Sequence, residues 1–264
     1  MLISLAQAQT KSGTVIILGF SQQKVVVAAD SRESTMSGDY RDDACKITAL
    51  EQKLIFVATG KGKAGEWSSA TEARAAVRAL VTFSQDFKPE LVDAIAGKWG
   101  DAAGQQIISR LGPEKVKDNQ VLISGIFVGA NAMGVIHISQ QTLRAKVSRG
   151  HVSFSKLPIV HGEPTSVMHF TAIGEADIYN EYQAGISARA NKWKAGSSAY
   201  LKSSGIADVE AAFAIMLVDL TGKYGKDRVP HHPDVALVGG PTDAIALTSK
   251  GAEWIHRKKD CPER

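Results

Sequence analysis

Two apolar runs near the amino terminus constrain the fold of this chain more than any other feature of its sequence. Residues 15–20 read VIILGF, residues 25–29 read VVVAA, and the polar residues 21–24 separate them. β-Branched residues favour strands, and a short polar break between two such runs predicts a hairpin. Because both runs are continuously apolar rather than alternating, we expect two strands that are buried on both faces.

Further strand-like segments recur along the whole chain. Strands are predicted at residues 45–50, 54–59, 121–128, 133–138, 143–147, 167–173, 244–247 and 253–255. Glycines at 129 and 134 separate some of these segments, and a loop that contains Pro158 and Pro164 precedes the strand at 167–173.

Helices are predicted between these strands. Apolar residues recur at three- and four-residue steps over residues 67–81, and a second helix over residues 90–111 is stopped by the Gly-Pro pair at 112–113. Two more helices are predicted, one beginning near residues 174–177 and one over residues 209–220. Strands and helices thus follow one another in segregated blocks, which predicts an α+β fold with sheets packed on each other and covered by helices.

One domain is expected for most of the chain. The 264 residues can bury a sizeable core, and no repeat, linker or shift in composition marks a boundary within residues 14–264. Residues 1–13 are predicted to be a propeptide or the remnant of a signal peptide. Residues 2–8, LISLAQA, look like the end of a signal peptide, although the basic segment that normally begins one is missing.

The residues around positions 13–15 (GTV) and 27–32 (VAADSR) resemble a proteasome β subunit. Active members of that family carry a Gly-Thr junction, an Asp 16 residues after the Thr, a Lys another 16 residues on, and a Gly 14 residues after the Lys. In this sequence the same spacings fall, without a gap, on Thr14, Asp30, Lys46 and Gly60. Four matches in register are a specific signal.

The resemblance implies both a fold and an activity. The fold would be the four-layer αββα sandwich of N-terminal nucleophile hydrolases, and the activity would be that of a threonine-type endopeptidase. Self-cleavage between Gly13 and Thr14 would free the nucleophile, which would hydrolyse peptides or unfolded proteins through an acyl-enzyme on Thr14. The family also suggests a ring of like or unlike subunits in the cytoplasm, and it implies no cofactor.

Each of the four residue types suits this chemistry. A threonine hydroxyl is a weak nucleophile near neutral pH, and the freed amine of Thr14 can activate it because an α-amine has a pKa of about 7.7–8.0. As a nearby cation, Lys46 would favour the neutral amine and the ionised hydroxyl, while Asp30 would keep Lys46 charged and oriented. By the resemblance, the backbone N–H of Gly60 would supply the oxyanion hole.

The sequence departs from the family pattern in two places. Where active relatives carry Gly-Ser-Gly, residues 174–176 read GEA; near the end, where they carry Asp-x-x-Ser-Gly-Gly, Asp234 lies one residue early and Val238 replaces the Ser. Glu175 and Asp234 are therefore candidate accessory residues, and residues 192–204 look like extra length. Two alternatives stay open: a scaffold subunit that kept the fold and lost the chemistry, and a non-proteolytic amidase of the same superfamily.

Charge and hydropathy exclude other classes of function. The formal net charge of +4, from 31 basic and 27 acidic residues, is too small to indicate nucleic-acid binding. No run approaches the roughly 18 apolar residues of a membrane-spanning helix. His231 and His232 have no third ligand at metal spacing, so no metal is predicted.

The two cysteines, Cys45 and Cys261, are far apart in the sequence and show no metal-ligand spacing. We therefore expect that they neither build a disulfide framework nor fix the compartment. Export therefore stays open as the alternative to the cytoplasm, on the strength of residues 1–8 alone.

Overall fold

The computed structural model describes residues 13–34, 39–60, 63–64, 67–81, 86–110, 116–259 and 261. Over these residues the chain is a mixed α+β protein with five helices and several antiparallel sheets. Residues 1–12 of the predicted propeptide lie outside the described residues, as do residues 112–113, which we predict to end the second helix. No helix in the described ranges has the length and apolar character needed to cross a membrane.

The elements are, in chain order, β1 (Val15–Phe20), β2 (Lys24–Ala29), β3 (Glu33–Ser34), β4 (Tyr40–Arg41), β5 (Ile47–Glu51), β6 (Leu54–Gly60), β7 (Lys63–Ala64), β8 (Trp67–Ser68), α1 (Ser69–Leu80), α2 (Pro89–Ile108), β9 (Val121–Ala130), β10 (Ile136–Ser148), β11 (His151–Lys156), β12 (Val160–Gly162), β13 (His169–Gly174), α3 (Asp177–Ala184), α4 (Ala188–Ser203), α5 (Val209–Tyr224), β14 (Arg228–Val229), β15 (His232–Ala236), β16 (Asp243–Thr248) and β17 (Gly251–His256).

The first sheet has the strand order β13-β1-β2-β16-β17, and all of its neighbouring strands are antiparallel. The predicted hairpin is confirmed, because Ile16 pairs with Ala29 and Phe20 pairs with Val25. Every residue of β1 is buried. This matches the continuously apolar sequence of the strand, which is covered on both faces.

The second sheet has the order β11-β10-β9-β6-β5, with β12 pairing to β10. The sequence predicted separate strands at 133–138 and 143–147, but β10 runs unbroken from Ile136 to Ser148. Residues 139–142, between the two predicted strands, are polar. They are nevertheless buried, and their side chains bond inside the fold: the hydroxyls of Ser124 and Thr142 are 2.9 Å apart.

Three apolar clusters hold these layers together. Residues from both sheets, among them Ile16, Val27, Ile55 and Ile126, form a core between the facing sheets. The other face of the first sheet packs against α3 and α5, and α4 packs on those two helices. The other face of the second sheet packs against α1 and α2, where Trp99 lies against Phe56 and Phe127.

Two sequence predictions need correction here. The sequence predicted two helices between β13 and β14, whereas the structure has three, because residues 188–203 form α4. Most of residues 192–204, which look like extra length by the resemblance, lie in this helix. The N-cap of α4 is Ser187, whose hydroxyl accepts the Ala190 N–H at 2.9 Å. The segment predicted as a loop with Pro158 and Pro164 contains β12 and follows the unpredicted strand β11, whose short sequence, HVSFSK, has few apolar residues.

Candidate active site

Thr14 lies directly before β1, at the end of the first sheet, and is buried. Its carbonyl oxygen accepts a 2.9 Å hydrogen bond from the backbone N–H of Glu175. Gly174, at the end of β13, has a φ of +89°, and a β-carbon there would lie 2.1 Å from the Thr14 carbonyl oxygen. A residue without a side chain is therefore needed for the two strand ends to approach this closely.

Asp30 lies directly after β2, and its side chain is fully buried. Oxygen Oδ1 accepts hydrogen bonds from the Val15 N–H at 3.0 Å and from Lys46 Nζ at 2.8 Å. Oxygen Oδ2 accepts hydrogen bonds from the backbone N–H groups of Arg32 at 3.2 Å and Gly239 at 3.1 Å. Both carboxylate oxygens are thus fixed by donors from four different positions of the chain.

The Lys46 ammonium lies at the centre of the site. Besides Asp30, it donates to the carbonyl oxygen of Arg32 at 2.6 Å and to that of Gly13 at 3.5 Å. Its side chain is only 9% exposed. The sequence predicted that Asp30 would orient Lys46, and the structure also brings the cation to the peptide bond that the resemblance marks for cleavage.

Burial changes the proton affinity of both charged groups. It raises the pKa of the Asp30 carboxyl and lowers the pKa of the Lys46 ammonium, while the contact between the two groups opposes both shifts. Glu33 raises the pKa of Lys46, and the nearby Lys258 lowers it. The lowered pKa means that Lys46 releases its proton more readily than a lysine in water does. Because both charges are buried, each depends on the other to offset the free-energy cost of its removal from water.

Gly60 is the last residue of β6 and has a φ of +107°. A β-carbon at this position would lie 2.6 Å from the Leu122 carbonyl oxygen, so only glycine fits. The preceding residue, Thr59, is buried, and its hydroxyl would lie 3.1 Å from a β-carbon at Gly174. The end of β6 therefore lies beside the strand ends that hold Thr14.

The two accessory candidates differ in their placement. Glu175 is next to Thr14 through its backbone N–H. Asp234 is exposed on β15, and within the described residues it makes no hydrogen bond or ion pair with Thr14, Asp30 or Lys46. Val238, at the position of the expected serine, is buried in the apolar cluster between the first sheet and α5.

Arg32 is a structural part of the site that the sequence reasoning did not identify. Its guanidinium forms a two-point contact with Asp42, from Nε to Oδ1 at 2.6 Å and from Nη2 to Oδ2 at 2.7 Å. Nη1 donates to the Ala236 carbonyl at 2.8 Å. Paired contacts of this kind fix geometry as well as charge, so Arg32 holds the backbone carbonyl to which Lys46 donates. Its place in the VAADSR stretch is the signal that could have indicated it.

The expectation that the cysteines build no disulfide is wrong. Cys45 and Cys261 are bonded to each other, with their Cα atoms 5.6 Å apart, across 216 residues of sequence. Such a separation leaves no local spacing pattern to read, which is why the sequence did not indicate the bond. The bond attaches the end of the chain to the residue directly before Lys46.

No protein-family model matches the chain, and a search of the curated proteins found no significant match. The assignment of a function therefore depends on the motif spacing and on the geometry around Thr14.

Proposed function

We propose that this chain is a threonine-type endopeptidase with the four-layer αββα sandwich of N-terminal nucleophile hydrolases. The observation that carries the proposal is the Lys46 ammonium, which binds the Asp30 carboxylate and also the carbonyl oxygen of Gly13. This carbonyl belongs to the peptide bond that the motif spacing selects for self-cleavage. The core between two facing sheets, each covered by helices on its other side, supports the proposed fold.

Activation would begin with the hydroxyl oxygen of Thr14 attacking the carbonyl carbon of Gly13. The hydroxyl proton passes to the departing nitrogen of Thr14, the C–N bond breaks, and an ester joins the two residues. Water then hydrolyses the ester and leaves a carboxylate on Gly13 and a free amine and hydroxyl on Thr14. Lys46 faces the oxygen on which negative charge develops, where a preorganised cation lowers the barrier most.

In the cleaved chain, the free amine of Thr14 would accept the hydroxyl proton as the hydroxyl attacks a substrate carbonyl. Lys46 would favour the neutral amine, Asp30 would hold Lys46 in place, and the N–H of Gly60 would donate to the oxyanion. The hydrogen bond from Glu175 to the Thr14 carbonyl fixes the backbone of the nucleophile during both steps. No cofactor has a role in this scheme.

The first test is the intact mass and amino-terminal sequence of the parent chain beside Thr14→Ala and Thr14→Ser. We expect a chain that starts at residue 14 in the parent and in the serine variant, and an unprocessed chain in the alanine variant. Lys46→Met should also stay unprocessed, whereas Lys156→Met, which removes a cation from a surface pair with Asp101, should be processed normally. An intact Gly13–Thr14 bond in folded parent protein would refute the catalytic proposal.

A panel of substrates then separates a peptidase from an amidase. The processed chain should cleave internal bonds of peptides and of unfolded proteins, whereas an amidase of the same superfamily would cleave only small acyl amides. Addition of a threonine-reactive electrophile such as a peptide boronate should block the activity in proportion to the modification of Thr14.

A scaffold role is the second candidate, and the placement of Val238 favours it. This residue replaces the serine of active relatives and packs into the apolar core instead of supporting Thr14 by a hydrogen bond. Glu175 likewise replaces a serine near the nucleophile. A folded chain that assembles into a ring yet stays unprocessed would identify this role, and light scattering on the purified protein would measure the assembly.

A further inference from the structure

Residues 258 and 261, close to the end of the chain, contact the residues that precede Lys46. We call residues 257–259 and 261 the C-terminal segment. Its Cys261 is bonded to Cys45, and its Lys258 donates from Nζ to the carbonyl oxygen of Ala44. Two consecutive residues directly before Lys46 are thus attached to the C-terminal segment, one by a covalent bond and one by a hydrogen bond.

Lys258 is itself held by a buried acid. Its backbone N–H donates to Asp243 Oδ1 at 2.9 Å, and its Nζ lies 3.4 Å from Asp243 Oδ2. The side chains are 7% and 3% exposed, respectively. Asp243 pairs across the first sheet with Ala29, the neighbour of Asp30 in sequence. The molecule therefore contains a second buried lysine–aspartate pair beside the pair of Lys46 and Asp30.

The segment that carries Lys46 is held at several points. The N–H of Ala44 donates to the Ser31 carbonyl at 3.1 Å, and Lys46 reaches Asp30 and the Arg32 carbonyl. Asp30 and Glu33 act on Lys46 as negative charges, and Lys258 acts on it as a positive charge. Without the C-terminal segment, residues 44 and 45 would lose their contacts with Lys258 and Cys261.

We propose that the Cys45–Cys261 bond and Lys258 act together as a thiol-sensitive positioning device, which holds the Lys46 ammonium at the Gly13 carbonyl only while the disulfide is intact. The effect of this device on catalysis rests on the proposed function. The effect of the disulfide on the position of Lys46 does not depend on that function. Lys258 is a positioning residue, because it acts through the backbone of Ala44 and touches no reacting atom.

The bond can be broken by a small thiol. Cys45 is partly exposed, whereas Cys261 is buried, so a thiolate reaches the Cys45 sulfur first and forms a mixed disulfide with it. A second thiolate then releases the Cys45 thiol, and the products are two cysteine thiols and one small-molecule disulfide. Loss of the bond removes the covalent attachment of Cys45 to the C-terminal segment, while the hydrogen bonds of Lys258 to Ala44 and Asp243 can still form. In the proposed device, this loosening of residue 45 lets the Lys46 ammonium move away from the Gly13 carbonyl.

The first test measures the position of Lys46 without any catalysis. In Thr14→Ala protein, the rate of acylation of each lysine is followed by peptide mass mapping, with and without dithiothreitol. We expect reduction to raise the acylation of Lys46 severalfold and to leave Lys156 unchanged, since Lys156 pairs with Asp101 far from either cysteine in sequence. Unchanged acylation of Lys46 after confirmed reduction would overturn the proposal, whether or not the chain is an enzyme.

The second test follows the self-cleavage of parent chain, Cys261→Ser, Lys258→Met and Lys258→Arg. A misplaced catalytic group costs roughly a hundredfold in rate, so we expect slowing by roughly ten- to a hundredfold in the serine and methionine variants and rescue by arginine. Lys259→Met is the matched control, because it removes the same charge from an exposed neighbour. Equal rates in Lys258→Met and Lys259→Met, with both variants folded, would rule out the positioning role.

A pH profile separates this role from simple loss of stability. Lys258 lowers the pKa of Lys46, so its removal should raise that pKa and move the alkaline loss of activity to higher pH. A variant that is merely unstable would lower the rate at all pH values alike. In one outcome, reduction raises the acylation of Lys46 in the first test while neither the parent chain nor any variant cleaves itself. That result would support the positioning device and refute the proposed enzymatic activity.

Discussion

A β-carbon at Gly174 would lie 2.1 Å from the carbonyl oxygen of Thr14. The glycine thus sets how closely β13 approaches the candidate nucleophile, and its φ of +89° is one that other residues adopt only at a cost. The N–H of the next residue, Glu175, completes the contact. The geometry around Thr14 therefore depends on a residue that carries no chemistry of its own.

Gly174→Ala should consequently abolish self-cleavage and destabilise the fold by about 2–4 kcal/mol, from steric overlap and backbone strain together. Urea unfolding and intact mass would measure the two effects. Gly150→Ala is the matched control: its φ is +77°, but a β-carbon there meets nothing within 4 Å. It should cost about 1 kcal/mol from strain alone and leave cleavage unchanged. Similar losses in both variants would show that strain, and not the approach to Thr14, is the cause.

Asp30→Asn should be among the most destabilising changes at the site. It leaves the buried Lys46 without a countercharge. It also places an amide N–H₂ group, which can only donate, against donor groups that bind the carboxylate in the parent chain. Removal of one partner from a buried ion pair costs about 3–5 kcal/mol, which urea unfolding can measure. Asp101→Asn breaks an exposed pair with Lys156 and should cost less than about 1 kcal/mol. A small effect at Asp30 would mean that water reaches the pair.

The local patterns of the sequence predicted the strands around the site. Strands β1 and β2 carry continuously apolar runs, so each can be predicted from its own residues without knowledge of the strand with which it pairs. The resemblance implied that Asp30 orients Lys46, and the hydrogen bond between the two side chains agrees with this. The sequence could not indicate contacts between distant segments. The disulfide, the hydrogen bond from Lys258 to Ala44 and the burial of the polar residues of β10 all depend on how the chain folds back on itself.

Reduction of the disulfide should lower the free energy of unfolding. A crosslink that closes a loop of 216 residues restricts the unfolded chain strongly, and native disulfides typically contribute about 2–5 kcal/mol. Urea unfolding with and without dithiothreitol would measure the loss. The double variant Cys45→Ser/Cys261→Ser should unfold at the lower value in both buffers, and any response of this variant to reductant would point to an effect unrelated to the bond.

The same bond bears on the compartment. Disulfides persist where the environment is oxidising and are rare in the cytosol. We therefore expect the exported alternative to hold, with the cysteines oxidised in the cell. Alkylation of free thiols before lysis, followed by mass mapping of residues 45 and 261, would check this, and quantitative alkylation of both would favour the cytoplasm.

The ion pair between Lys24 and Asp208 gives a pH dependence that is independent of the active site. Partial burial raises the pKa of Asp208, but hydrogen bonds from Lys24 and from the Ala211 N–H outweigh it, so the pKa lies below its usual value. Partial burial likewise lowers the pKa of Lys24, and its bonds to Asp208 and Glu210 raise it above the usual value. The pair therefore stabilises the fold above about pH 4 and below about pH 10, and this contribution is lost outside that window.

Asp208→Asn tests this window. Asparagine caps a helix about as well as aspartate, so α5 keeps its N-cap at residue 208 and loses only the charge. Because both partners are partly exposed, we expect a loss of about 1 kcal/mol at pH 7 in urea unfolding. The difference from the parent should shrink towards zero as the pH falls through the lowered pKa of Asp208, since the protonated acid can no longer pair with Lys24. A difference that stays constant down to pH 2 would assign the loss to capping rather than to charge.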